Sequence, residues 1–239
     1  MPEGALQRAV ELLGRLGEQP AERSVAELAS DAGLPTSTAY RLLAELEQHG
    51  LVQRGADRTV TLGARLVALG RTAEEGLRER LVEPAREVMS ALTREVGETT
   101  ILSAPCGVEG IVLHVVETEQ HSVRLSYARL RRAPMHRGAS GKILAAYLEP
   151  NERARLVRAA AVTGLSEELD RVRAAGFAFT VGELDQGAAA VAAPILDRRG
   201  RISAGLSVAG PAQRIAPDQL RLREAVSAAA DQIERSQQA

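Results

Sequence analysis

The chain has 239 residues, 45% of them apolar and 26% charged, with a formal net charge of −1. That is the balance of a globular protein with one large domain or two small ones. No apolar run approaches the roughly 20 residues of a bilayer-spanning helix, and the single cysteine, Cys106, excludes an intramolecular disulfide and a cysteine-ligated zinc site.

The first helix is expected over Ala5–Glu18, with Leu6, Val10 and Leu13 on one face. The second opens at Ser24, where Ser24 and Glu27 have the spacing of a capping box. Its stripe is Val25, Leu28, Ala29 and Ala32, the i, i+3, i+4, i+7 pattern of one buried face. Gly33 follows, where a residue free to take positive φ is useful. Thr36 or Ser37 is expected to cap the third helix, whose stripe is Ala39, Leu42, Leu43 and Leu46, closed by Gly50. Leu51–Arg54 and Arg58–Leu62 then read as two strands joined through Gly55-Ala56-Asp57.

Two short helices around a tight glycine turn are the helix-turn-helix pattern, and the hairpin after them makes a winged one. In such a unit the third helix enters the major groove with its N-terminal residues on the bases. Those residues are Thr36, Ser37, Thr38, Tyr40 and Arg41. Hydroxyls suit phosphate oxygens, and Arg41 suits phosphate or guanine. Arg54 and Arg58 flank the wing, in reach of backbone or minor groove. Charge is divided on the point. Residues 1–70 hold seven Arg against nine acids, whereas residues 36–71 hold five Arg against three. Three small helices and a hairpin also fit a protein-docking module, so both readings stand at this stage.

From Ala64 to Arg80 the positions Leu66, Leu69, Ala73 and Leu77 keep helical spacing, and a further helix runs through Val88 and Leu92 to Gly97. Strands are expected at Thr99–Ser103, Ile111–Val116 and Val123–Tyr127. Helices are expected near Ser140–Tyr147, Glu152–Ala160 and Glu167–Ala175, then a strand at Phe177–Val181. Ala188–Leu196 and Arg201–Ala209 form a hairpin across Asp197–Gly200, apolar enough on both arms to be central in a sheet. A last helix from about Pro217 carries Leu222, Val226, Ala229 and Ile233. The fold class is α+β. Residues 1–63 form the winged helix-turn-helix, 64–80 a linker helix, and 81–239 a sensor-like α/β domain.

This order of parts resembles the IclR family of bacterial transcription factors (isocitrate lyase regulator type). The resemblance covers nearly the whole chain. It is carried by Gly33-Leu34-Pro35-Thr36-Ser37-Thr38-Ala39-Tyr40-Arg41-Leu42-Leu43, by Pro134-Met135-His136 leading into Gly141-Lys142, and by Arg173-Ala174-Ala175-Gly176-Phe177. Ala192-Ala193-Pro194-Ile195, followed by Leu206-Ser207-Val208-Ala209-Gly210-Pro211, completes it. The resemblance implies a GAF-like effector domain and a homodimer or homotetramer on a palindromic double-stranded DNA operator near metabolic genes. A small-molecule metabolite would be the effector and no cofactor would be needed. It further implies an effector site in which Ala139 and Ser140 offer backbone N–H groups. Carried over by position, Ser207 is kept, while Thr180, Ala190 and Ala209 stand where the family has Asp, Cys and Ser. Leu125 and Met135 add apolar wall. The expected effector is therefore larger or more apolar than a two- or three-carbon acid, unless the pocket only packs.

Other signals fall short. Gly138-Ala139-Ser140-Gly141-Lys142 hints at a phosphate loop, but His136 holds the place of its first glycine and Ile143 that of the magnesium-binding hydroxyl. Gly205-Leu206-Ser207-Val208-Ala209 nearly matches a nucleophile elbow, but it lies inside an apolar strand run with no His or Asp placed to activate the serine. His49, His114, His121 and His136 are scattered. No metal site and no enzymatic activity are expected. The opening residues lack a basic segment followed by an apolar one, so a cytoplasmic address is expected.

Overall fold

The computed structural model describes residues 4–18, 22–55 and 59–238. The chain forms two compact units, one up to Gly76 and one from Leu77. The division falls inside the helix expected as a connector.

The first unit holds α1 (Ala5–Glu18), β1 (Arg23–Ser24), α2 (Val25–Asp31), α3 (Thr36–Gln48), β2 (Val52–Arg54), β3 (Thr59–Leu62) and most of α4 (Arg65–Leu77). Leu12, Leu16, Leu28, Leu42, Leu43 and Val60 make its core. The expected inner face of α1 is corrected. Leu6 is 80% and Val10 58% exposed, whereas Leu12 and Leu16 are buried. Ala9, Leu12, Leu13 and Leu16 form the fuller i, i+3, i+4, i+7 stripe, and they face the core. The Ser24 capping box is present: Ser24 Oγ accepts from the Glu27 N–H at 3.2 Å, and Glu27 Oε2 accepts from the Ser24 N–H at 2.9 Å. Ser24 also pairs with Thr59, and Arg23 with Val60, giving a three-stranded sheet in the order β1-β3-β2. A two-residue strand leaves no periodicity to read. α4 buries none of its residues.

In the second unit a π-helical turn (Arg78–Val82) leads into α5 (Glu83–Val96). Then come β4 (Thr99–Cys106), β5 (Glu109–Val116), β6 (Arg132–Pro134), α6 (Gly138–Ala146), α7 (Pro150–Ala160) and α8 (Leu165–Ala175). β7 (Ala178–Val181), β8 (Ala188–Leu196), β9 (Ile202–Pro211), α9 (Ala212–Ile215) and α10 (Gln219–Gln238) follow. The six strands form one antiparallel sheet, ordered β6-β5-β4-β9-β8-β7. The β8–β9 hairpin is buried along both arms, and β9 is central.

Alternation along these strands sends Leu102, Val191, Ile195, Leu206 and Val208 to one face, packed with Met89 and Leu92 of α5 and Leu222, Val226 and Ile233 of α10. The other face carries Ala178 and Ala192 against Ile143 and Leu144 of α6 and Leu169 of α8. α6 sits close to the turn that precedes it. A Cβ on Gly141 would lie 2.9 Å from the Met135 Cα and 3.0 Å from the Pro134 carbonyl oxygen, a clash with backbone that only glycine avoids.

The strand expected at Val123–Tyr127 is absent. Its place beside β5 is taken by β6, and by Leu130 and Arg131, which exchange backbone hydrogen bonds with Val112 at 2.8 and 2.9 Å. Residues 117–131 form an irregular strap instead. The Leu125 carbonyl accepts from Thr99 Oγ1 at 2.8 Å and the Val123 carbonyl from Arg214 Nη2 at 3.0 Å. Arg214 is itself paired in a fork with Glu98, which is only 4% exposed.

Candidate functional sites

The first site is the outer surface of α3. Gly33 turns the chain with φ +62°, and the Leu34 N–H donates to the Ala29 carbonyl at 2.8 Å. Ala39, Leu42, Leu43 and Leu46 seat α3 on the core. The helix cap differs from expectation. The N-cap is Pro35, whose carbonyl accepts from the N–H groups of Thr38 and Ala39 at 2.9 and 3.1 Å. The extended φ and ψ of the proline start the helix at Thr36, so neither Thr36 nor Ser37 serves as its cap. Thr36, Ser37 and Arg41 are exposed, and Thr38 and Tyr40 are half-buried.

Arg41 Nη1 lies 3.4 Å from Glu45 Oε1, with both side chains more than half exposed. Arg54 instead lies back on the helix. Its Nη2 donates to the Tyr40 carbonyl at 3.4 Å and its guanidinium carbon is 5.8 Å from the Tyr40 ring centre. Its Nε is 3.0 Å from Glu47 Oε2, a charge contact without hydrogen-bond alignment. Arg54 thus braces the hairpin against α3. Arg58 lies outside the described residues.

The second site is a cavity of about 700 Å³, counting its open mouth, in the second unit. Of the eight positions expected around an effector, Leu125, Ala139, Ser140, Thr180, Ala190 and Ala209 line it. Thr180 faces Ala190 across β7–β8, Ala190 faces Ala209 across β8–β9, and Ala209 faces Thr99 across β9–β4. The three positions where the chain departs from its resemblance are thus one cross-strand row. Two expectations are corrected. Met135 is fully buried, packed in the core with Ala139, Ile143 and Leu144 of α6 rather than lining the cavity. Ser207 lies behind Ser140: their hydroxyl oxygens are 2.8 Å apart, and Ser207 Oγ donates to the Ile101 carbonyl at 3.4 Å. Ile101, Val112, Leu144 and Leu184 extend the apolar wall.

Polarity gathers at two places. One is the start of α6. The Gly138 N–H donates to Glu183 Oε2 at 3.0 Å. The N–H groups of Ala139 and Ser140 belong to the first turn and have no acceptor within the helix. Glu183 Oε1 lies 2.6 Å from Lys142 Nζ, which also holds Glu168 Oε1 at 2.5 Å. Burial works to lower the Lys142 pKa, but the two carboxylates outweigh it and raise it.

The other place is where Tyr127 and Arg131 of the strap meet Asp185. Tyr127 Oη donates to Asp185 Oδ2 at 2.7 Å, and Arg131 Nη2 to Asp185 Oδ1 at 3.4 Å. The Arg131 guanidinium stands 4.7 Å over the Tyr127 ring. Burial first, and the bond to Asp185 second, push the Tyr127 pKa up, so the phenol keeps its proton. Sequence reasoning missed Tyr127, Arg131, Glu183 and Asp185. One of only three tyrosines in an aromatic-poor chain was the available signal.

Residues 5–56 match the IclR helix-turn-helix domain, and residues 77–235 match the family described as bacterial transcriptional regulator IclR C-terminal. The chain belongs to the IclR family of bacterial transcriptional regulators. It is 30% identical over 224 residues to the HTH-type transcriptional regulator KipR of Bacillus subtilis, covering 89% of this chain and 88% of that one. It is similar to a crystal structure of an IclR-type regulator from Silicibacter sp., with a TM-score of 0.77, 26% identity and 98% and 96% of the two chains covered. An IclR homologue from Microbacterium hydrocarbonoxydans, solved with 4-hydroxybenzoate, aligns with a TM-score of 0.65, 26% identity and coverage of 98% and 99%. The protein is a DNA-binding transcriptional regulator of this family. No helix among the described residues is long and apolar enough to cross a membrane.

Proposed function

We propose that the cavity binds a carboxylic acid with an apolar body of at least ring size, and that this ligand alters operator affinity. The carrying observation is the Thr180–Ala190–Ala209 row beside the first-turn N–H groups of α6. The row offers one hydroxyl and two methyl groups, so it favours apolar surface. The start of α6 offers N–H donors and the positive end of a helix dipole, which favour a carboxylate. The 4-hydroxybenzoate in the Microbacterium homologue is an acid of this kind.

In this reading Thr36, Ser37, Thr38, Tyr40 and Arg41 meet DNA, with two subunits placing their α3 helices about 34 Å apart on a palindromic operator. Arg54 acts by holding Tyr40 and the hairpin in place. Linkage requires that DNA change ligand affinity by the same factor as ligand changes DNA affinity.

Calorimetry with benzoate, glyoxylate and pyruvate tests the cavity. Benzoate should bind, and the two small acids should bind at least about tenfold more weakly, the cost of one or two unfilled apolar groups. Tighter binding of glyoxylate or pyruvate than of benzoate defeats the proposal. A gel shift on DNA flanking the gene, repeated across salt concentrations, tests the operator reading. The logarithm of affinity should fall with that of salt by roughly 0.9 per phosphate contacted.

A further inference from the structure

We propose that Arg131 and Asp185, walled by the Tyr127 ring, form a second recognition point in the cavity that reads a hydroxyl group on the ligand. The effector class is then a hydroxylated carboxylic acid with an apolar body. The inference rests on the carboxylate reading above and adds a second polar group to it.

The argument is one of unused hydrogen-bonding capacity. A carboxylate accepts at roughly four lone-pair positions. Asp185 uses one for the Tyr127 hydroxyl at 2.7 Å and one for a long contact with Arg131 at 3.4 Å. The Arg131 guanidinium has several N–H donors, and that same long contact engages one of them. Both side chains are half-buried and line the cavity, among walls that are otherwise mainly aliphatic. An acceptor and a donor with spare capacity therefore stand side by side where a ligand would lie.

Only some chemistry fits such a pair. A second carboxylate on the ligand would satisfy Arg131 but face the charge of Asp185. An ammonium would satisfy Asp185 but face Arg131. An ether or methyl group has no proton to give Asp185. A hydroxyl donates to Asp185 and accepts from Arg131, and it carries no charge that either would repel. The Tyr127 ring, with Arg131 stacked 4.7 Å above it, supplies a flat apolar wall beside the pair. The start of α6 and this pair belong to different elements, so the ligand must present two polar groups on one apolar frame.

A trio that merely clasps the strap to the β7–β8 loop would affect all ligands alike. Selectivity between ligands is therefore the decisive readout. The full chain is titrated calorimetrically with benzoate, 4-methylbenzoate, 3-hydroxybenzoate, 4-hydroxybenzoate and the carboxylate-free 4-methylphenol. One of the hydroxybenzoates should bind at least about tenfold more tightly than benzoate and 4-methylbenzoate, because a site built for a hydroxyl penalises its absence. That gap should vanish in Asp185→Ala and Arg131→Met but persist in Tyr127→Phe, which keeps both members of the pair. Equal binding of all four benzoates by the unaltered protein overturns the proposal, as does a gap that survives in Asp185→Ala. If 4-methylphenol alone binds tightly, hydroxyl recognition stands and the carboxylate reading fails. Absence of binding by all five overturns both.

Discussion

Arg41 on α3 and Arg131 at the cavity each stand 3.4 Å from a carboxylate, Glu45 and Asp185 respectively. The distances agree, but the surroundings do not. Arg41 and Glu45 are 65% and 59% exposed, so water and salt screen their attraction and the pair contributes about 0–1 kcal/mol. Such an arginine leaves its partner for a phosphate or a base at little cost. Arg131 is 37% exposed, stacked on an aromatic ring and joined to a carboxylate that also holds a tyrosine. The outer face of α3 keeps this charge loosely held on a surface. The cavity ties its charges to one another and leaves apolar wall between them. A polyanion suits the one, and a compact molecule with few polar groups suits the other.

The largest expected effect comes from filling the cavity. Ala190 is the middle of its cross-strand row. Ala190→Leu extends three carbons into open space, and calorimetry should show ligand affinity falling at least about 100-fold, or roughly 2.7 kcal/mol. Operator binding without ligand should be unchanged. If Ala190→Leu still binds benzoate normally, the site is elsewhere.

A backbone change should break the other half of the comparison. Gly33 has φ +62°, and a Cβ there would meet nothing within 4 Å. Gly33→Val therefore strains the backbone alone, at about 1–3 kcal/mol for a branched residue in the left-handed region. Urea denaturation should show that loss, with benzoate binding intact. An unaltered denaturation midpoint would mean that the turn relaxes freely.

Arg41→Ala sharpens the contrast on the surface. Operator affinity should fall by about 1–3 kcal/mol if the side chain reads a base, while stability stays within about 0.5 kcal/mol, as for most exposed substitutions. A gel shift and a thermal melt on the same preparation separate the two. Equal operator affinity in both proteins would remove Arg41 from the interface.

Legibility followed the physics of each segment. α2 and α3 were readable because a capping box and two i, i+3, i+4, i+7 stripes are local signals, and the apolar β8–β9 run announced a covered hairpin. The first helix held two overlapping apolar patterns, and only packing against α3 selected Leu12 and Leu16 over Leu6 and Val10. The 123–127 segment is apolar and alternating, but long-range bonds from Thr99 and Arg214 hold it as a strap. The Thr180–Ala190–Ala209 row came from resemblance, since residues 29 positions apart share no local pattern. The Tyr127–Arg131–Asp185 cluster joins positions more than fifty residues apart, and no short-range rule predicts such a meeting.

The smallest expected effect tests the one anion that the cavity already holds at α6. Glu183 sets a carboxylate oxygen on the Gly138 N–H, next to the donors proposed for the ligand. Its charge is partly offset by Lys142, which it shares with Glu168. Glu183→Gln keeps an oxygen for the Gly138 N–H and removes a negative charge beside the incoming acid. The side chain is 34% exposed, so solvent reduces the gain. Benzoate should bind about twofold to fivefold more tightly, the usual scale for one charge at a helix start. Neutral benzamide should be unaffected, because it carries no charge for Glu183 to oppose. Equal tightening of benzoate and benzamide would assign the effect to shape and withdraw the anion from the start of α6. Tightening of benzoate alone would show that the second unit tunes ligand charge with an acid of its own, where the first leaves that task to salt and solvent.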